Sequence, residues 1–273
     1  MAIVTIFAGT FGDDEEVARN VANALGYPFI GRELLSAASQ RCQIPEAKLN
    51  DIVEKEPRWW EGWQENLRPY RIALQAAMTE AARGENLVYC GHVGHGLLPG
   101  IRHVLRVLMI APLDYRVRQV RERLGLEDKA ARRYIARVDK AHTRRLVALF
   151  GADWRDAGQY ALVLNRAQVS AIGAEKLIAA AAKLIEYQAT EESRQALEDL
   201  ALSSKVESYL LTYPRFKDLN INVKAVQGEV VLTGVIPSAV SESEIRSVVE
   251  GIPGVKKLTA DFVALPRSVA QWT

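Results

Sequence analysis

Residues 3–26, IVTIFAGTFGDDEEVARNVANALG, decide the fold. Ile3 to Ala8 is an unbroken apolar, β-rich run bounded by Gly9, the pattern of a strand buried on both faces. A glycine-containing turn follows, and then a helix is predicted from Glu15 to Leu25. Val17, Val21, Ala24 and Leu25 fall on one face at helical spacing, and Gly26 and Pro28 end the element. Strand, glycine turn, helix is the opening unit of an open α/β sheet.

The rest of the chain extends this unit. Helices are predicted over Arg32–Arg41, Pro45–Lys55 and Pro69–Arg83, then a second buried strand, Leu87–Cys90, before the turn GHVGHG. Val104–Ala111 reads as a third strand, after which Pro112 and Asp114 open a very basic helix. Glu127–Phe150 continues as helix, Ala161–Leu164 as a short strand, and Ile172–Tyr187 as an Ala-rich amphipathic helix closing a domain over residues 1–187. The polar stretch 188–200 (QATEESRQALEDL) is read as a helical linker. After it the period changes, marking a second domain over 201–267. A short helix over Ser203–Leu211 precedes two strands of period 2, Asn220–Ala225 and Glu229–Leu232, joined by a Gln227-Gly228 hairpin turn. A helix over Ser241–Glu250 and a last strand, Lys257–Leu265, complete a small α+β unit.

Composition bounds the function. The 273 residues suit about two domains, and 49% hydrophobic with 25% charged is the balance of a globular protein rather than a disordered one. Thirty-five Lys and Arg against 33 Asp and Glu leave a formal charge of +2, which argues against coating nucleic acid by bulk charge. Two cysteines, Cys42 and Cys90, make no disulfide framework and suit a reducing compartment. The run Val107–Leu113 falls far short of the ~18 residues that span a bilayer, and the N-terminus reads as a strand, not a signal peptide. The expectation is a cytoplasmic protein without a transmembrane segment.

Residues 3 to about 186 resemble the cytidylate kinase-like family, a branch of the P-loop nucleoside-monophosphate kinases. The resemblance rests on a strand leading to FG, then EVARNVANALGYPFIGRELL, LVYCGHVGHGLL, VLRVLMIAPLDYRVRQVRERLGL, ARVDKAHTRR and FGADW, in that order. Residues 200–265 resemble a BON domain, most clearly in NVKAVQGEVVLTGVIPS and IPGVKKLTADF. The fold class implied is α/β: a P-loop kinase-like three-layer domain with a parallel sheet, plus a small C-terminal α+β BON-like domain. The activity implied is transfer of the ATP γ-phosphate to CMP or a related nucleotide, with Mg²⁺. Such transfer is mostly positioning and charge neutralisation: backbone N–H groups cradle the donor phosphates and arginines spread the developing charge. The resemblance places the donor loop at Gly9, Thr10, Phe11, Gly12, Asp13, Asp14 and Glu15. It places an acceptor-phosphate arginine at Arg32 and the charge-stabilising arginines at Arg137, Arg144 and Arg145. His92, Asp139 and His142 occupy further nucleotide-binding positions.

The sequence departs from the family pattern at several of these positions. The loop that in relatives reads R-E-Y-G-S-G-G-R is here Gly9–Glu15, with three carboxylates where phosphates would dock. At an effective dielectric near 20, like charges ~4 Å apart repel by roughly 4 kcal/mol, unless Mg²⁺ reverses the sign. The same acids also suit a helix start, with Asp13 and Glu16 spaced as a capping box. The strand-end motif G-R-G-A is Gly91-His92-Val93-Gly94, and the lid motif D-K-x-R is Asp139-Lys140-Ala141-His142. Histidine replaces arginine at both, and it cannot make bidentate phosphate contacts. The profile is that of a degenerate kinase: a catalytically weak or inactive nucleotide sensor or interaction module with the BON domain as output, the alternative being an active kinase.

Other groupings carry competing readings. Cys90, His92, His95 and His103 could mark zinc, although C-x-H-x-x-H is not a common ligand spacing and a strand-end cysteine is ordinarily packing. The basic run from Arg116 to Arg145 is a lid over phosphates, a solvated face or, least favoured because no recognised nucleic-acid module accompanies it, a nucleic-acid surface. Trp59, Trp60 and Trp63, with Tyr70, serve base stacking or packing. Trp154 reads as structural. The BON-like unit has no titratable cluster, so a protein or small-ligand partner is expected for it.

Overall fold

The computed structural model describes residues 1–8, 14–53 and 66–265. Five parallel strands form the larger sheet: β1 (Ile3–Ala8), β2 (Phe29–Ile30), β3 (Leu87–Cys90), β4 (Val104–Ile110) and β5 (Leu162–Asn165). Their order is β2-β3-β1-β4-β5, with β1 central between β3 and β4. The unbroken apolar run of β1 has a direct cause in this position. Side chains of a strand alternate between faces, so Ile3 and Phe7 enter one core while Val4 and Ile6 enter another.

Helices cover both faces. On one side lie α2 (Glu33–Cys42), α3 (Glu46–Val53) and α4 (Arg68–Ala82), supplying Leu34, Leu49, Leu74 and Met78 to the first core. On the other lie α1 (Asp14–Leu25) and α8 (Ala171–Ala181), which bury Val17, Val21, Ala174 and Ile178 in the second. Between them in the chain come α5 (Gly94–Leu97), α6 (Leu113–Leu124) and α7 (Asp128–Phe150). The α6–α7 pair has a small core of its own around Val117, Val120, Ala131 and Ile135. The order of connection reverses at the carboxyl ends of β1, β3 and β4, where ligands of open α/β sheets lie.

A second sheet follows: β6 (Ile221–Val226), β7 (Glu229–Pro237) and β8 (Lys257–Leu265), with β6–β7 antiparallel and β7–β8 parallel. The hairpin turn has Gln227 at φ 51° and Gly228 at φ 90°, as a two-residue turn of the type that matches strand twist requires. α9 (Glu191–Thr212) and α10 (Glu242–Glu250) close a third core through Val206, Leu210, Ile245 and Val249. β7 runs five residues beyond its predicted end because Gly234, at φ 155°, lets the chain pass β6. A Cβ there would lie 2.5 Å from the Asn220 carbonyl oxygen.

Where the two domains join, the elements also differ from the sequence reading. The helix predicted over Ile172–Tyr187 stops at Ala181, and residues Ile185–Tyr187 form a 3₁₀ turn. The Gln188 side chain donates to the Ala182 and Leu184 carbonyls, replacing the helical bonds that would have continued it. Residues 191–200 and the short helix after them are one element, α9, opened by a capping box in which Thr190 and Ser193 exchange bonds. Its acidic first half seats Ala196, Leu197 and Leu200 against the first core. These few apolar positions recur at helical spacing among residues that otherwise read as solvent-facing.

Candidate functional site

Aromatic rings pack together at the carboxyl ends of β1, β3 and β4, beneath the crevice expected where the strand order reverses. Phe7, near the end of β1, stacks on Trp154 with centroids 5.0 Å apart and planes 20° apart. It meets His92 edge-on at 5.6 Å and His95 at 5.8 Å. His92 comes from the turn after β3 and His95 from α5, the one-turn helix that follows. Trp154 is itself fixed, its Nε1 donating to Thr143 Oγ1 on α7 at 3.0 Å.

His142 reaches the same place from α7. Its ring lies 4.3 Å from that of His92, at 42°, and it is buried. The two positions at which the sequence carries histidine in place of arginine are thus in contact, though fifty residues separate them in the chain. Two guanidinium ions so close would repel by roughly 4 kcal/mol at an effective dielectric of 20 unless an anion lay between them. Two imidazoles pack together without that cost.

The neighbouring charged residues are engaged in the fold. Asp139 receives both Nη atoms of Arg116, at 2.6 and 2.9 Å, in a fork-to-carboxylate pair that ties α6 to α7. Arg145 is buried and donates Nη1 to the carbonyl of Val53, the last residue of α3, at 2.8 Å. Arg137 and Arg144 lie on the exposed side of α7, Arg137 over the Tyr134 ring at 5.7 Å. The three arginines assigned to developing charge therefore divide between two faces, because residues 137 and 144 stand two helical turns apart and residue 145 is rotated inward. Arg32 is exposed just before α2, and no side-chain partner holds it among the described residues. Next to it, Glu33 accepts the Gly31 N–H at 2.8 Å, and backbone donors hold its carboxyl below the usual range.

The donor turn itself, Gly9, Thr10, Phe11, Gly12 and Asp13, lies outside the described residues, as do Trp59, Trp60 and Trp63. Asp14 opens α1. Glu15 and Glu16 are exposed in its first turn, and Glu15 pairs with Arg19 at 2.7 Å, one turn along. The acids thus stand where the helix dipole favours them.

Sequence reading missed Arg106 and the character of His95. Arg106 interrupts the apolar run VLRVLMI of β4, and that interruption was the available signal. Its guanidinium is largely buried and donates to the carbonyls of His95, at 3.3 Å, and of Leu98, holding α5 to the sheet. His95 is buried among Phe7, Phe150 and Tyr160, and neither ring nitrogen has a hydrogen-bond partner among the described residues. Burial, and then the Arg106 charge, push its pKa down to about 4.

The zinc reading of Cys90, His92, His95 and His103 does not fit the geometry. His103 precedes β4 at the amino ends of the strands, the end of the sheet opposite to Cys90, His92 and His95, and its Nδ1 lies 2.9 Å from Ser193 Oγ. No group of three or more His, Cys, Asp or Glu suited to a metal occurs among the described residues. No helix among them is long and apolar enough to cross a membrane.

Residues 3–168 match the cytidylate kinase-like family. The chain belongs to that family. Residues 198–266 match the BON domain, so both units carry the assignment that their motifs implied. Among solved structures, the chain is similar to an uncharacterized protein from Eubacterium ventriosum. The two share 16% identity over 66% of this chain and 97% of that one, with a TM-score of 0.52. Shikimate kinase from Bacteroides thetaiotaomicron shares 15% identity over 67% of this chain and 99% of its own, with a TM-score of 0.43. The first likeness concerns the fold alone, and the second is too distant to carry an argument. No curated protein matches the chain.

For a magnesium nucleotide, the residues of this cytidylate kinase-like domain fit only in part. Arg32 is open to an acceptor phosphate and Glu16 to a cation, whereas Asp139 and Arg145 are bound within the fold.

Proposed function

We propose that this protein is a nucleotide-responsive module of the cytidylate kinase-like family in which phosphoryl transfer is weak or lost and the BON domain provides the output. The observation that carries the reading is the contact between His92 and His142, 4.3 Å apart. Where fixed positive charge would neutralise transferring phosphates, the site holds two imidazoles packed on each other, with His92 also against Phe7. Asp139, committed to Arg116, and Arg145, committed to the Val53 carbonyl, support the same reading. The bound class is a nucleotide with phosphates at the β1 turn, ATP or a CMP-like monophosphate. Affinity rests on backbone donors and on Arg32 rather than on a ring of arginines. The BON domain, without a titratable cluster, takes a protein or small-ligand partner.

A second reading has one observation in its favour. Arg32 is exposed and without a side-chain partner among the described residues, as an acceptor-phosphate residue of a working kinase must be. In that case the protein moves the ATP γ-phosphate to CMP or a relative, with Arg137 and Arg144 closing over the crevice.

Thermal-shift titration with ATP, CMP, dCMP and AMP, with and without Mg²⁺, separates the readings, because a ligand that binds only the folded state raises the melting temperature by mass action. A shift without product supports the sensor, and a shift with a phosphorylated acceptor supports the kinase. No shift at millimolar nucleotide removes both.

A further inference from the structure

A polar chain, mostly buried, runs from the second sheet to the crevice. It begins at the carbonyls of Leu219 and Ile221, where β6 starts, both of which accept from the Arg68 guanidinium, Leu219 at 3.2 Å. Arg68 is the first residue of α4, an end at which the helix dipole disfavours a cation. Local helix energetics do not place it there; the contact across the domains does. Arg68 Nη2 lies 3.4 Å from Glu207 Oε1 on α9, and Arg71 Nη2 lies 3.9 Å from the same oxygen. Glu207 is buried, and desolvation raises its carboxyl above the usual range against the pull of both arginines.

The chain continues along α4. Arg71 Nη1 donates to Gln75 Oε1 at 3.2 Å, and Gln75 Nε2 donates to the Leu97 carbonyl at 3.3 Å. Gln75 is 6% exposed, so its amide is fixed in orientation by an acceptor role at one end and a donor role at the other. Leu97 ends α5, the helix that carries His95 and follows the His92 turn. The next carbonyl, Leu98, is held by Arg106, which also holds that of His95.

We propose that Glu207, Arg71, Gln75 and the Leu97 carbonyl couple the seat of the second domain to the α5 turn, so that the state of the crevice and the position of the small sheet bias each other. The proposal deepens the sensor reading by naming the route between site and output. Coupling of this kind is reciprocal: what loosens one end loosens the other. The apolar core shared by α4 and α9 also includes Leu97, so the test has to separate the polar route from the packing.

Amide hydrogen exchange on the full-length protein tests the coupling without any nucleotide, so its outcome is separate from that of the nucleotide titration. Glu207→Gln removes the charge that anchors Arg71. Exchange at amides 94–98 is expected to rise by roughly five- to tenfold, although these residues do not touch Glu207. In a Gln75→Met background, which keeps the packing volume but breaks the chain, Glu207→Gln is expected to add nothing at 94–98. Arg71→Lys keeps a cation facing Glu207 without the fork that also reaches Gln75, and is expected to reproduce the rise if Glu207→Gln fails to fold. An effect of Glu207→Gln or Arg71→Lys confined to residues 207–226 overturns the proposal. So does an effect at 94–98 that persists undiminished with Gln75→Met.

Discussion

Replacing His95 by leucine is expected to remove a large part of the protein's acid sensitivity. In the unfolded chain this imidazole titrates near 6.5, and in the fold its pKa is pushed down to about 4. Between those values the unfolded state binds the proton and the folded state does not, so stability that is complete above pH 6.5 drains as the pH falls toward 4. At pH 4.5 the loss relative to pH 7.5 is about 2.5 kcal/mol from this one side chain. The ring is 7% exposed, so solvent does little to screen the effect. His95→Leu conserves volume approximately and takes away two ring nitrogens that have no partner. At pH 7.5 the variant should therefore unfold within about 1 kcal/mol of the parent, since removing an unsatisfied polar group costs little. The assay is urea unfolding at pH 7.5 and 4.5, followed by tryptophan fluorescence. Any packing cost is common to both pH values and cancels in the difference. The reasoning is refuted if parent and variant lose the same stability between the two conditions.

Three other outcomes can be checked separately. His92→Arg places a guanidinium at the mouth of the crevice. One charge-assisted phosphate contact is worth about 1.5–3 kcal/mol, so ATP should bind roughly ten- to a hundredfold tighter by calorimetry; unchanged affinity means that the histidine is not what limits binding. Gly234→Ala drives a Cβ to 2.5 Å from the Asn220 carbonyl at a φ of 155° and should destabilise the second domain by at least about 2 kcal/mol, read as a fall in its unfolding midpoint. Cys42, whose thiol is pushed up to about 11 by burial, should resist iodoacetamide at pH 8 in the native protein and react on unfolding; labelling of native Cys42 would place it at the surface.

Much of the fold was legible because few competing patterns existed. IVTIFA reads as a strand covered on both faces, and the last strand, Lys257–Leu265, stands with the bounds read from the sequence. β2, of two residues, and α5, of four, are shorter than any period that could reveal them. The polar surface of α9 hid its continuity, since the apolar residues that seat it are a minority of its sequence. Within the site, the resemblance located His92 and His142 individually but could not bring them together. Their contact depends on how α7 crosses the crevice, which no local spacing encodes. The pairing of Arg116 with Asp139 was hidden for the same reason, as a choice among many arginines settled by tertiary geometry. Arg106 was the one missed residue that announced itself, as a cation inside an apolar strand.

α9 also fixes how the two sheets can move. It places Leu197 in the first core and Val206 and Leu210 in the third, and its 22 residues make a rod about 33 Å long. A rod embedded at both ends has no elbow. The small sheet cannot swing as if on a tether; a change in its angle has to bend the rod or draw it through its socket, so a disturbance at one end arrives at the other as displacement and not as slack.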